Sequence, residues 1–291
     1  MHNYLIAGIA VRIDGPQWAL HENLEHFIVV AGNPDIYCEI LFEDFSKYNS
    51  LARDSEVLVS IPSTSIYNHD GTIIKINGDK YDIPSCIVAL NNYTEWKFYI
   101  SPDYSSPSDK NVIKATKEGV LAALRKIMII ALSQKKGLLL HSCSILWKEQ
   151  VIAFSGKSGV GKSTHARLWQ EKYGVSILDG DVTACRMASG LPIAYGLPWC
   201  GTSGQFMNQS GDLRAVVFLQ QAKSNSIKKL DFKEAYMYLA SRCFLLPWSN
   251  DLANDFLDII GEIAASTEFY LLSCLPDYEA VEMVKECLGL S

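Results

Sequence analysis

The sequence predicts an α/β domain with helices covering a sheet, preceded by an antiparallel β-rich domain, and three features carry that expectation. The first third of the chain is a series of short β-branched and aromatic runs broken by turn residues. Beyond a Ser-, Pro- and Asp-rich stretch, strands and helices alternate, as they do where helices cover a largely parallel sheet. One strand–helix junction is a glycine-rich loop that ends in Lys-Ser-Thr.

The early runs are Tyr4 to Ile13, Ile36 to Phe42, Val57 to Ile61, Thr72 to Ile76 and Trp96 to Ile100, with turn signals at Asn68-His69-Asp70-Gly71 and Asn77-Gly78-Asp79. The stretch Ser101 to Lys110 (SPDYSSPSDK) is the best boundary, placing one domain at 1–105 and the next at 111–291. Asn111 to Gln134 repeats apolar residues at helical spacing up to Gly137. Leu138 to Trp147 and Val151 to Ser155 then form a hairpin around Lys148-Glu149-Gln150. There follow a helix from Lys162 to about Lys172, strands at Val175 to Leu178 and Ala215 to Gln220, helices at Asp231 to Leu245 and Asp251 to Ala265, a strand at Phe269 to Leu272 and a helix at Asp277 to Leu288.

Composition excludes some classes of function. A net charge of -6 disfavours a chain that grips nucleic acid through many phosphates. The run Tyr4 to Val11 has no basic leader, so it is expected to be a strand rather than a signal peptide. Ile127 to Leu132 is far shorter than the roughly 20 residues that span a bilayer. Eight scattered cysteines, with no CxxC pair, read as reduced thiols in a cytoplasmic protein without a membrane partner.

The segment Gly156-Lys157-Ser158-Gly159-Val160-Gly161-Lys162-Ser163, continued by Thr164, satisfies the P-loop pattern between an apolar strand and an amphipathic helix. Its glycines let backbone N–H groups face phosphate oxygens, Lys162 reaches the β- and γ-phosphates, and the Ser163 hydroxyl ligates magnesium, so ATP and Mg2+ are the expected ligands. Asp179-Gly180-Asp181 ends the next strand. One carboxylate there can hold magnesium while another takes a proton from an attacking hydroxyl; a solvated turn is the competing reading for Asp179. His141 lies in an apolar strand with its side chain opposed to its neighbours, as a core residue or as a proton-sharing group. The segment from Tyr195 to Gly204 (YGLPWCGTSG) reads as a substrate lid or as a surface loop anchored by Trp199, and Arg214 and Arg242 are candidates for contacting phosphate.

Taken together, His141-Ser142, the loop FSGKSGVGKST, the strand end ILDGD (Ile177 to Asp181) and YGLPWCG (Tyr195 to Gly201) resemble the HPr kinase/phosphoenolpyruvate carboxykinase-like P-loop proteins. Within that group the chain looks most like small bacterial serine-kinase-like proteins of the kind that phosphorylate lasso peptides. The resemblance implies catalytic roles for His141, Asp181, Asp179 and Lys162, with Ser163 and Asp181 at the metal. It also implies a hydroxyl acceptor on a peptide, protein or small molecule; HPr kinases form homo-oligomers, but no periodic or exposed apolar pattern in this chain carries that state over. The family carries adjacent acids where Gly180 separates Asp179 from Asp181 here. Two further readings fit the loop: a small-metabolite kinase of shikimate-kinase type, and a nucleotide-binding regulator without catalysis.

Overall fold

The computed structural model describes residues 1–30, 32–61, 64–77, 83–245 and 250–290. They form two compact units. One holds Met1–Ala131 with the first residues of a helix that begins at Asn250; the other holds Leu132–Leu245 and Asn254 onward. Each is built on a multistranded sheet accompanied by helices.

The first unit contains β1 (His2–Ile6), β2 (Ile9–Asp14), β3 (Ile36–Phe42), α1 (Ser46–Arg53), β4 (Glu56–Ile61), β5 (Thr64–His69), β6 (Thr72–Asn77), β7 (Ser85–Leu90), β8 (Glu95–Ile100) and α2 (Lys110–Gln134). The strand order is β1-β2-β3-β8-β7-β6-β5-β4. The run Tyr4 to Ile13 is a hairpin rather than one strand, because Ala7 and Gly8 take left-handed backbone (φ 50° and 70°) and reverse the chain in two residues. The sheet is also not purely antiparallel: β3 runs parallel to both β2 and β8. Residues 15–35 supply the crossover that a parallel β2–β3 pair needs. At the first predicted turn, Asp70 and Gly71 have φ 47° and 83°, and Asn68 Oδ1 accepts from the Gly71 N–H at 3.0 Å. Gly78 and Asp79 of the second lie outside the described residues. The unit division falls near the end of α2, whereas the sequence places the boundary at Ser101–Lys110.

The second unit contains β9 (Gly137–Trp147), β10 (Gln150–Ser155), α3 (Lys162–Tyr173), β11 (Ser176–Asp179), β12 (Val182–Ala188), β13 (Leu191–Tyr195), β14 (Ser210–Gln221), β15 (Ser226–Lys229), α4 (Phe232–Ala240), α5 (Asn250–Ser266), β16 (Glu268–Cys274) and α6 (Tyr278–Cys287). The expectation of a largely parallel sheet is corrected here. Among the described residues β14 pairs in parallel with β10 and β16, and the other strand pairs of this sheet are antiparallel. Tight turns are the cause: Lys148 (φ 56°) reverses β9 into β10, and Ser189-Gly190 (φ 51° and 84°) reverses β12 into β13, and such turns permit only antiparallel neighbours. The sheet is covered on both faces. Leu140, Ala153, Val216 and Phe218 pack with Leu239 of α4 and Phe256, Ile260 and Ile263 of α5, while Ile145, Ile152, Phe154 and Val217 pack with Trp169 of α3 and Val281 and Val284 of α6.

Two strand and helix details bear on the site. β11 pairs with β9, so it is not a direct neighbour of β10. The predicted helix Asp231 to Leu245 stops at Ala240, although Asp231 and Glu234 form a complete capping box at its start. Residues 242–244 instead bond to β9: the His141 N–H donates to the Arg242 carbonyl and the Phe244 N–H to the Leu139 carbonyl, each at 2.9 Å.

Candidate active site

The site is assembled where β9, β10 and the β11–β12 turn meet. β10 is fully buried from Val151 to Phe154 and delivers the chain into the glycine loop. Three of the loop's glycines have φ between 76° and 151°. Gly156 is further constrained by space, since a Cβ there would lie 2.9 Å from Val160 Cγ1 and 3.0 Å from the Leu219 carbonyl oxygen. The helix α3 begins directly at Lys162, with Gly161 at its N-cap, so its free N–H groups open toward the loop. Lys157, Ser158, Gly159, Ser163 and Thr164 are exposed, and Val160 is half-buried.

Lys162 is only 8% exposed, with Nζ 3.5 Å from the Gly156 carbonyl. Burial pushes its pKa down, the charge of Asp181 opposes that shift, and the charge of Arg242 adds to it. A lysine held this way would be stabilised by an added anion.

His141 and Asp181 come together across the β9–β12 ladder, with His141 Nε2 3.6 Å from Asp181 Oδ1 and each side chain about one-third exposed (32% and 34%). His141 thus faces away from the buried Leu140 and Ser142, and its ring lies 6.1 Å from that of Phe244. Its backbone is fastened on both sides. The N–H donates to Arg242, and the carbonyl accepts from the Ser155 hydroxyl at 2.8 Å, immediately before the glycine loop. The Ser142 N–H donates to the Asp181 carbonyl at 3.1 Å. Beneath them the fully buried hydroxyls of Ser142, Thr183 and Ser144 form a chain with 2.8 Å links. β9 therefore sets the register of the loop, the histidine and the acid at once.

Asp179 stands apart from this pair, and its burial corrects the solvated-turn alternative. It is fully buried, and its two oxygens accept the N–H groups of Asp181 (2.9 Å), Val182 (3.0 Å) and Leu197 (3.0 Å). Burial raises its pKa well above the ordinary carboxyl range, against the pull of these three donors. Its role is to shape the turn that presents Asp181. Gly180 is required by packing: a Cβ there would sit 1.8 Å from Ser203 Oγ and 2.6 Å from Ser203 Cβ. Gly201 likewise lets its backbone close on Asp181, whose Cβ and Cγ would be 2.8 Å from an added methyl.

The segment expected as a lid or surface loop is neither over Gly196–Cys200, which is buried. The Gly196 N–H donates to the Gln209 carbonyl and the Met207 N–H to the Leu178 carbonyl, so the segment backs the acid turn. Within the segment only Gly201–Gly204 is exposed. Of the two arginines, Arg214 pairs with Glu268 and donates to the Leu288 carbonyl. Arg242 lies beside the glycine loop, and its buried Nε has no hydrogen-bond partner among the described residues. Ser142 and Ser155 fall within the sequence motifs without a role read for them, and Ser144 and Thr183 escape notice there because hydroxyls within apolar strands carry no motif.

Among the described residues no group of three or more His, Cys, Asp and Glu side chains could hold a metal ion by itself. The exposed Ser163 hydroxyl and the half-buried Asp181 carboxylate are oxygen donors of the kind that could serve magnesium alongside phosphates and water. No helix among the described residues is long and apolar enough to cross a membrane.

No family model matches the chain, and no curated protein matches it. Among solved structures it is similar to the HPr(Ser) kinase/phosphatase from Coxiella burnetii, at 7% identity and a TM-score of 0.30, over 51% of this chain and 95% of that one. The relation is a distant structural one.

Proposed function

We propose that the protein is an ATP- and magnesium-dependent kinase that transfers the γ-phosphoryl group to a serine-type hydroxyl of a peptide, protein or small molecule. The observation that carries this reading is the His141–Asp181 pair beside a glycine loop whose Lys162 is buried within reach of the charge of Asp181. The loop amides and Lys162 hold the β- and γ-phosphates in place, and Asp181, steadied by His141, accepts the proton of the acceptor hydroxyl as the hydroxyl oxygen bonds to the γ-phosphorus and the γ-phosphorus bond to the β–γ bridging oxygen breaks, with ADP leaving. Ser163 and Asp181 would hold magnesium, which would supply charge neutralisation on the phosphate oxygens. Phosphoryl transfer is mostly a matter of positioning and electrostatics, which suits a site locked by backbone hydrogen bonds.

Because Gly180 answers to Ser203, the separation of the two acids reflects local packing and does not argue for lost catalysis. The N-terminal unit is assigned acceptor recognition. All eight cysteines are free thiols, which fits a reducing, cytoplasmic setting. The test is incubation with labelled ATP and the products of neighbouring genes. Labelled acceptor with wild type, and loss of labelling in Asp181→Asn by 10²-fold or more with Mg-ATP binding retained, is the expected result. Unchanged transfer by Asp181→Asn overturns the base assignment.

A further inference from the structure

A recess of about 610 Å³ opens against the glycine loop, and the reaction geometry gives it an occupant. It is lined by loop residues Gly156 to Val160, by Phe218 to Gln221 at the end of β14, by Leu271 of β16, and by Tyr238 and Arg242. Its volume lies in the range of small-molecule sites.

Direction follows from strand order. β10, which feeds the loop, lies between β9 and β14. His141 belongs to β9, and Asp181 follows β11, which also pairs with β9. The recess lies mainly on the opposite flank, that of β14 and β16, with Arg242 closing it toward β9. For a triphosphate on the loop whose γ-phosphorus faces Asp181, the recess on the other side of the loop offers room for the α-phosphate and nucleoside.

The walls suit a flat aromatic group. Tyr238 is half-buried, with its ring braced by Phe218 at 4.9 Å between centroids, so it is a stiff stacking surface. Leu271 is an apolar wall. Gln221, whose Nε2 donates to the Gly159 carbonyl at 3.4 Å, ties the loop tip to β14 and brings an amide to the rim.

We propose that this recess is the nucleobase subsite and that Tyr238 is its stacking residue, so that purine nucleoside triphosphates are the preferred phosphoryl donors. The inference rests on the nucleotide-binding reading above, and the probes are chosen to separate the two. Binding of Mg-ATP, Mg-CTP and magnesium tripolyphosphate is measured by calorimetry on the full chain for wild type, Tyr238→Leu and Tyr238→Phe, with a thermal melt of each variant. Loss of one base–aromatic stack predicts roughly ten-fold weaker Mg-ATP binding for Tyr238→Leu. Tripolyphosphate affinity stays within about two-fold, Tyr238→Phe binds Mg-ATP as wild type does, and wild type prefers Mg-ATP to Mg-CTP. Equal affinity of wild type for Mg-ATP and tripolyphosphate, or an equal loss for both in Tyr238→Leu, overturns the subsite while leaving the loop a phosphate binder. Should wild type bind neither, the nucleotide reading itself falls and the subsite with it. If Tyr238→Leu does not fold, the comparison of Mg-ATP with Mg-CTP and tripolyphosphate on wild type decides alone.

Discussion

Lys162 holds its charge where water is scarce, which lowers its pKa in the free protein. A bound triphosphate supplies the counter-charge and raises it again. Between those two values binding takes up a proton, so Mg-ATP affinity is expected to fall as pH climbs through the window below the ordinary lysine value of 10.5. Calorimetry in buffers of different ionisation heat should show that uptake in wild type and not in Lys162→Met. His165, one turn further into α3, is a second titration with a different consequence. Its Nε2 accepts from Trp169 Nε1 at 3.3 Å, so its proton sits on Nδ1, which is buried without a partner among the described residues. Burial drives its pKa from 6.5 down to about 4. The unfolded chain therefore takes up the proton first, and stability, full above pH 6.5, declines as pH falls toward 4. The loss has an upper bound of roughly 3 kcal/mol. Urea titrations at neutral pH and near pH 4.5 should show a smaller acid-induced loss in His165→Leu than in wild type.

Among elements, the strand β9 and the β11–β12 turn decide how the site is held. Thr183 joins the hydroxyls of Ser142 and Ser144 inside an apolar layer, where a lost partner leaves buried polar groups unpaired. Thr183→Val is expected to cost about 1–3 kcal/mol of stability, with Thr183→Ser close to wild type in chemical unfolding. At the turn, Gly180→Ala drives a methyl into Ser203 and should destabilise by about 1–3 kcal/mol. Ser203→Gly in the same chain should recover most of that, and a double variant no better than the single would show that the clash lies elsewhere. The early end of α4 belongs to the same account. Residues 242–244 satisfy backbone groups of β9 instead of extending the helix, which brings Arg242 to the loop.

For the whole molecule, the division of the chain matters most. The exposed linker Ser101–Lys110 looks like a domain boundary, yet α2 up to Ala131 groups with the first unit and buries Val120, Leu124, Ile127 and Met128. A protease nick within the linker is therefore expected to leave the two fragments co-eluting in size-exclusion chromatography while they separate on a denaturing gel. Fragments that part in native buffer would place the boundary at the linker after all.

Local chemistry by itself determined much of this protein. Turn residues, alternating runs and the loop from Gly156 to Ser163 are short-range patterns, so the strand–loop–helix unit, the long helix before it and the hairpin carrying His141 were legible in order along the chain. Strand direction was not, because a strand's own residues do not say which neighbour it meets; the short turns and the crossover before β3 settle that. Nor could residue type separate Asp179 from Asp181. Two carboxylates two positions apart look equivalent until the backbone folds three N–H groups around one and leaves the other half-open beside His141. Burial and long-range hydrogen bonding are properties of the assembled sheet, and they are what divided the enclosed acid from the half-open one.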